Sequence, residues 1–255
     1  MDWIIELENV SKRFGSLVVL DEMNVRFERG KTTVVLGESG TGKSVLLKTI
    51  IGLIGPDRGH VRFEGTEIGS LKGHELEAMR TRFGFLFQGG ALFDSMTAGE
   101  NVAFPLRQHT DKRDREIAEI VANKLKLVGL AGIEGKTPSQ LSGGQKKRVA
   151  LARAIAMEPQ VILYDEPTTG LDPIRSDVIN ELIIRLQQRL GVTSVVVTHD
   201  MTSAFKVADR MLMLYKGKFI FDGTPEELRQ SREERVRRFV AGEAPKEDLE
   251  AIGIQ

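Results

Sequence analysis

The sequence predicts an α/β fold: a core with a parallel sheet, an N-terminal antiparallel β-subdomain and an inserted α-helical subdomain. Three observations lead there. Thr32 to Leu36 is a β-rich run feeding directly into a glycine-rich loop, and Val45 to Ile54 reads as the helix leaving that loop. Val161 to Tyr164 and Thr193 to Val197 are short apolar runs with a helical pattern, Arg175 to Leu190, between them, and that order requires parallel pairing. Ahead of both, Met23, Val25 and Phe27 alternate with Asn24, Arg26 and Glu28, the period-two pattern of a half-buried strand.

The remaining elements follow in chain order. Val61-Arg62-Phe63-Glu64 repeats the alternation, with Gly65 placed for a turn. From Gly69 to about Thr137 the pattern is helical and charged, most clearly over Arg115 to Leu127. A further helix is expected from Ser142 through Val149, Leu151, Ala152 and Ile155 towards Met157. Met211 to Phe221 reads as a hairpin turning at Lys216-Gly217. Thr224-Pro225-Glu226-Glu227 then opens a helix, with a Thr N-cap, Pro in the first turn and Glu at N3. There is no internal repeat and no low-complexity tract.

Composition narrows the function classes. At 255 residues the chain can bury a substantial core. Its 36 basic and 36 acidic side chains cancel, so no global field collects nucleic acid or an anionic membrane. Without cysteine there is no disulfide framework, which suits a reducing cytosol. The N-terminus, Met1-Asp2-Trp3-Ile4-Ile5-Glu6, lacks the basic start and apolar core of a signal peptide. No apolar run reaches the ~20 residues of a spanning helix. If the protein moves something across a membrane, another chain provides the path.

Three motifs carry chemistry. Gly37-Glu38-Ser39-Gly40-Thr41-Gly42-Lys43-Ser44 fits the phosphate-loop pattern G-x-x-x-x-G-K-[ST]. Gly37, Gly40 and Gly42 let the backbone approach a triphosphate, and the following helix adds its N-terminal N–H groups. Lys43 would bridge the β- and γ-phosphates, and the Ser44 hydroxyl would ligate Mg²⁺. Ser39 and Thr41 complete the loop. Glu38 lies in it too, but its carboxylate should point away from the phosphates. Asp165 ends an apolar strand, where it can reach the metal through its water shell, and Glu166 follows it. From there Glu166 could orient and deprotonate an attacking water. Finally, Ser142-Gly143-Gly144 begins a helix, making a second anion-seeking N-terminus with a hydroxyl donor.

The order phosphate loop, Leu141-Ser142-Gly143-Gly144-Gln145, then acidic strand end resembles the ATPase subunit of an ABC transporter, from about Ile5 to Phe239. The resemblance implies a RecA-like P-loop NTPase core in one ATPase domain over residues 3–240. The helical subdomain would span roughly 89–157, and a short tail 241–255. It implies ATP and Mg²⁺, and a head-to-tail homodimer in which Ser142, Gly143, Gly144 and Gln145 close over ATP held by the other subunit. Gln88 corresponds to the Q-loop glutamine that contacts Mg²⁺ and the water, and His199 to the switch histidine at the γ-phosphate. Asp172 corresponds to the D-loop aspartate that communicates across the dimer; Gly170 stands where many members have Ala. Phe14 sits where the family has an aromatic stacked on adenine, although a core Phe would read the same.

The segment after Gln88 speaks to the subfamily. Gly89-Gly90-Ala91-Leu92-Phe93-Asp94-Ser95, followed by Glu100-Asn101-Val102-Ala103-Phe104-Pro105-Leu106, resembles the ATPase of Mla/MCE-type phospholipid transporters. So does Arg235-Val236-Arg237-Arg238-Phe239. That likeness implies an integral-membrane permease dimer docked near Gly89 to Phe93, an MCE-domain lipid-binding protein and a STAS-domain partner. It places the chain peripherally on the cytoplasmic face of the inner membrane, with phospholipid moving between inner and outer membranes. Leu92 and Phe93 could instead belong to the local core, and the tail could be a solvated end rather than a contact with the neighbouring ATPase. Two other readings stay open: the ATPase of another ABC importer or exporter, and a soluble ABC ATPase such as that of iron–sulfur cluster assembly.

Overall fold

The central strands of this protein are buried on both faces, and that determines the layout. In the computed structural model, which describes residues 2–244, two sheets share the chain. The first contains β1 (Trp3–Phe14), β2 (Leu17–Glu28), β4 (Arg58–Phe63) and β5 (Thr66–Glu67), all antiparallel, in the order β2-β1-β4-β5. The second contains β3 (Thr32–Leu36), β6 (Phe83–Leu86), β7 (Val161–Asp165), β8 (Thr193–Thr198), β9 (Arg210–Tyr215) and β10 (Lys218–Gly223). Its order is β10-β9-β3-β8-β7-β6, parallel except for β10 at the edge.

Alternate residues of the parallel strands enter two different cores. Val34, Leu36, Ile162, Tyr164 and Val196 face one; Val35, Val161, Leu163, Val195 and Val197 face the other. A strand covered on both sides has no polar face to show, hence its continuous apolar reading. The second core is closed by the antiparallel sheet and by α1 (Lys43–Ile50), whose Leu46, Leu47 and Ile50 are buried there. The alternation of Met23, Val25 and Phe27 points β2 into it as the sequence requires.

The first core is covered by helices: α3 (Ala98–His109), α4 (Asp114–Leu127), α5 (Gly143–Ala154), α6 (Pro173–Leu190) and α7 (Met201–Val207). Capping boxes at Thr97/Glu100 and Ser142/Gln145 fix where α3 and α5 begin. Thr224 and Glu227 do the same for α8 (Pro225–Arg229), and α9 (Glu234–Ala241) ends the described chain. The tail expected over 241–255 lies mostly outside the described residues.

Two element readings need correction. The stretch from Gly69 to Thr137 is not all helical: after α2 (His74–Thr81) it contributes β6, the edge strand beside β7. The helix leaving the phosphate loop stops at Ile50 rather than Ile54, because Gly52 takes φ +67 and turns the chain.

Candidate nucleotide site

Strand register brings the site together. Leu36 pairs level with Thr198, Asp165 with Val197, and Leu86 with Tyr164. The residues that follow these strands therefore leave the sheet along one carboxyl edge, the place where open parallel sheets hold ligands. They are Gly37, His199, Glu166 and, two past β6, Gln88. A cleft of about 340 Å³ there is lined by Phe14, Ser39, Gly40, Gly42, Lys43, Ser44, Gln88, Glu166 and His199, among others.

The phosphate loop is a close-packed turn. A Cβ on Gly37 would stand 2.7 Å from the Leu214 carbonyl oxygen and 2.8 Å from Thr41 Oγ1. Gly42 holds φ +100 at the mouth of α1, a conformation closed to other residues. Lys43 is only 5% exposed. Its ammonium donates to the Gly37 and Glu38 carbonyls at 2.7 and 2.9 Å and stands 3.4 Å from Glu166 Oε1. Burial pushes its pKa down, and the Glu166 carboxylate opposes that shift. Glu38 thus faces Lys43 through its backbone, and its carbonyl also accepts from Thr41 Oγ1 at 2.9 Å.

Ser44 Oγ donates to Asp165 Oδ1 at 2.8 Å. Burial raises the pKa of Asp165, and the Ser44 hydroxyl opposes it. Two oxygen donors side by side at the edge of the cleft fit a hard cation such as Mg²⁺. Glu166 is buried and adopts φ +49, a left-handed conformation uncommon for a residue with a side chain. Its N–H donates to the Val197 carbonyl at 3.0 Å, anchoring it to β8. Oε2 accepts from Thr169 Oγ1 at 3.2 Å and lies 2.9 Å from His199 Nδ1.

Phe14 is 49% exposed and borders the cleft, so it is not a core phenylalanine. Ser142, Gly143, Gly144, Gln145 and Asp172 do not line the cleft. Ser142 caps α5, accepting from Gln145 N–H at 3.3 Å while its own N–H donates to Gln145 Oε1 at 2.9 Å. Asp172 caps α6 through the Arg175 N–H at 3.0 Å and pairs with the Arg175 guanidinium at 3.2 Å. The Arg175 side chain in turn packs against Gly144. These residues form a second, separate cluster.

The segment after Gln88 divides its residues. Leu92 packs on the core, whereas Ala91 and Phe93 line a groove of about 770 Å³ with Phe83, Phe85, Phe87, Phe104, Pro105 and Met157. Phe93 is set against Phe104, ring centroids 4.7 Å apart. Two cations on α5 escaped the sequence reading. Lys147 donates to the Gln88 and Glu166 carbonyls, and Arg153 to the Gly90 and Ala91 carbonyls, each of the latter at 2.8 Å. A signal existed: Lys147 shares a helical stripe with Leu151 and Ile155, at i+4 and i+8, where an apolar residue is expected.

Comparison with known proteins agrees with this geometry. The family model described as "ABC transporter" matches residues 20–169. The chain is 45% identical over 238 residues to the probable ribonucleotide transport ATP-binding protein mkl of Mycobacterium leprae, covering 93% of this chain and 69% of that protein. It is 44% identical over 241 residues to the intermembrane phospholipid transport system ATP-binding protein MlaF of Haemophilus influenzae, covering 94% and 91%. Among solved structures, the ATP-binding cassette MJ0796, a dimer in a post-hydrolysis state bound to ADP and Pi, superposes with a TM-score of 0.80. That pair shares 34% identity over 87% of this chain and 98% of that one. Among the described residues no helix is long and apolar enough to cross a membrane. The chain belongs to the ABC transporter family, and within it to the ATP-binding, ATP-hydrolysing subunits.

Proposed function

We propose that this chain energises phospholipid transport between inner and outer membranes, as a homodimeric ATPase attached to an integral-membrane permease at the cytoplasmic face of the inner membrane. The observation that carries this is the nearly end-to-end match to MlaF, 94% of one chain and 91% of the other. The mycobacterial relative, named for ribonucleotide transport, has about a third of its length beyond the match, at 69% coverage. Ribonucleotide export or import is the second reading, favoured by that name.

In the proposed mechanism, Lys43 and the loop Gly37 to Gly42 bind the β- and γ-phosphates, and Phe14 stacks on adenine. Ser44, Asp165 and Gln88 would hold Mg²⁺, which neutralises developing phosphate charge when bound. Glu166 accepts the proton of the attacking water, and His199 holds the Glu166 carboxylate in place beside the γ-phosphate. Ser142, Gly143, Gly144 and Gln145 close over the nucleotide of the other copy, and Asp172 contacts that copy nearby. The aromatic groove beside Phe93 receives a helix of the permease, an apolar face laid into an apolar trough. An MCE-domain lipid carrier and a STAS-domain protein complete the assembly.

The test is affinity purification of the tagged chain from native membranes in mild detergent, with partners and bound lipid identified by mass spectrometry. Recovery of a multi-spanning permease with an MCE-domain protein and phospholipid is expected. A permease without either, stimulated in ATPase activity by ribonucleotide, would favour the second reading; recovery of soluble proteins alone would remove the transporter assignment.

A further inference from the structure

Helix α5 sends a lysine into the back of the nucleotide site. Lys147 is 6% exposed, and its ammonium lies between two backbone carbonyls, Gln88 O at 2.5 Å and Glu166 O at 3.1 Å. Among the described residues it makes no ion pair. A buried ammonium without a carboxylate is costly, and a leucine or methionine would fill the same helical stripe without having to bury a charge. Burial pushes the Lys147 pKa down, opposed by the fields of Glu166 and Asp165.

The two carbonyls it holds are not ordinary ones. Glu166 carries the left-handed φ of +49, so the direction of its carbonyl and that of its carboxylate are set together. A relaxed backbone at this residue would swing the side chain away from His199 and Lys43. Gln88 sits inside the turn closed by the Gly90 N–H on the Phe87 carbonyl at 2.8 Å, immediately beyond β6. One ammonium therefore ties the chain exits of β6 and β7 to each other and to α5, whose first turn begins at Ser142.

We propose that Lys147 is a positioning residue for hydrolysis, fixing the spacing and orientation of Gln88 and Glu166 by holding both main-chain carbonyls from the helix that starts at Ser142. This rests on the roles proposed above for Gln88 and Glu166. It adds that the helix closing over the other copy's nucleotide also sets the water-handling groups of its own copy.

The experiment compares Lys147→Met, Lys147→Arg and Lys147→Gln with the unaltered full-length chain purified with its membrane partners. It records kcat, KM, nucleotide Kd and Tm. Misplacing a water-handling group costs on the order of tenfold to a hundredfold in rate, so Lys147→Met is expected to lose that much kcat. KM and Kd should stay within about threefold and Tm within a few degrees, since ground-state binding is untouched. Lys147→Arg, which keeps donors to both carbonyls, should recover most of the rate, and Lys147→Gln an intermediate part. In a Glu166→Gln background Lys147→Met should cost clearly less than it costs in the unaltered chain, because only its hold on Gln88 then still matters.

A wild-type kcat in Lys147→Met alongside an inactive Glu166→Gln would overturn the positioning role alone. A loss of kcat matched by a fall in Tm and a rise in KM, without rescue by Arg, would also overturn it in favour of a packing role. Full activity in Glu166→Gln would instead remove the underlying site reading. If Lys147→Met does not fold, the order wild type, Arg, Gln in kcat at constant KM decides the matter, and equal rates in Arg and Gln would refute the proposal.

Discussion

His199 Nδ1 stands 2.9 Å from Glu166 Oε2, while the other carboxylate oxygen of Glu166 stands 3.4 Å from the Lys43 ammonium. The two partners arrive from neighbouring parallel strands, β7 and β8, whose register fixes their separation. Glu166 is thus held between the cation of the phosphate loop and an imidazole. Replacing it by its isostere, Glu166→Gln, should leave nucleotide affinity within about threefold and lower the single-turnover rate by at least about 10²-fold. His199→Ala should cost less, because Thr169 still holds Oε2. A Glu166→Gln rate within a few-fold of wild type would show that the proton goes elsewhere.

Asp165 gives a stability prediction with a definite sign. Burial raises its pKa in the folded chain above that of the unfolded chain. The folded state then holds the proton more tightly, so ionised Asp165 opposes folding above the raised pKa. That cost fades as pH falls through the raised value. Asp165→Asn, which can still accept from Ser44, should raise Tm near neutral pH and abolish Mg²⁺-dependent hydrolysis. Calorimetry across pH, comparing variant with wild type, should find the gain shrinking towards acid pH; a gain that grows on acidification contradicts the argument.

Ser142→Arg addresses the separate cluster at the start of α5. Ser142 does not line the cleft that contains Lys43, so affinity of that cleft for nucleotide should be unchanged. If the α5 N-terminus closes over the other copy's nucleotide, steady-state hydrolysis should fall by more than about tenfold, since the much longer arginine side chain blocks close approach of the helix end and removes the hydroxyl. Sedimentation in a Glu166→Gln background should show loss of the ATP-induced dimer. Retention of both dimer and activity would place the active site within a single copy.

Asn101 organises the groove from inside α3. Fully buried, it accepts from the Phe93 N–H at 2.9 Å and donates to the Phe93, Met96 and Thr97 carbonyls at 3.1, 3.2 and 3.0 Å. Asn101→Leu keeps the volume but takes the partner of the Phe93 N–H and a donor of the Met96 carbonyl, while the Phe93 and Thr97 carbonyls keep the Met96 and Asn101 N–H groups. A loss of roughly 1–3 kcal/mol is expected in urea unfolding, the cost of leaving one or two such groups unpaired. A change under about 0.5 kcal/mol would mean that water or a rearranged loop replaces these bonds.

Much of the site was legible because its chemistry is written in local backbone needs. A left-handed Gly42, a lysine and a hydroxyl at the head of α1, and carboxylates ending an apolar strand are requirements of a few consecutive residues each. Likewise the helix starts at Ser142 and Thr224 follow from neighbours three residues away. The edge strand β6 was hidden: Phe83-Gly84-Phe85-Leu86 is short and contains a glycine, in a charged helical region. Its identity depends on pairing with β7 and on α5, which approaches so closely that a Cβ at Gly84 would stand 2.5 Å from the Ala154 carbonyl oxygen.

By itself, then, the sequence determined the fold class, the phosphate loop, the acidic strand end and the two helix starts, since each is set by short-range sterics and hydrogen bonding. Tertiary structure alone decided that Gln88, Glu166 and His199 share one cleft, because only parallel register aligns the ends of β6, β7 and β8. It also decided that Phe14 is exposed at that cleft, that Leu92 turns inward while Phe93 lines a groove, and that Lys147 is buried between two carbonyls. A lysine on a helix reads as a solvated cation until the elements packed against it are known, because burial is a property of the whole fold and not of the segment.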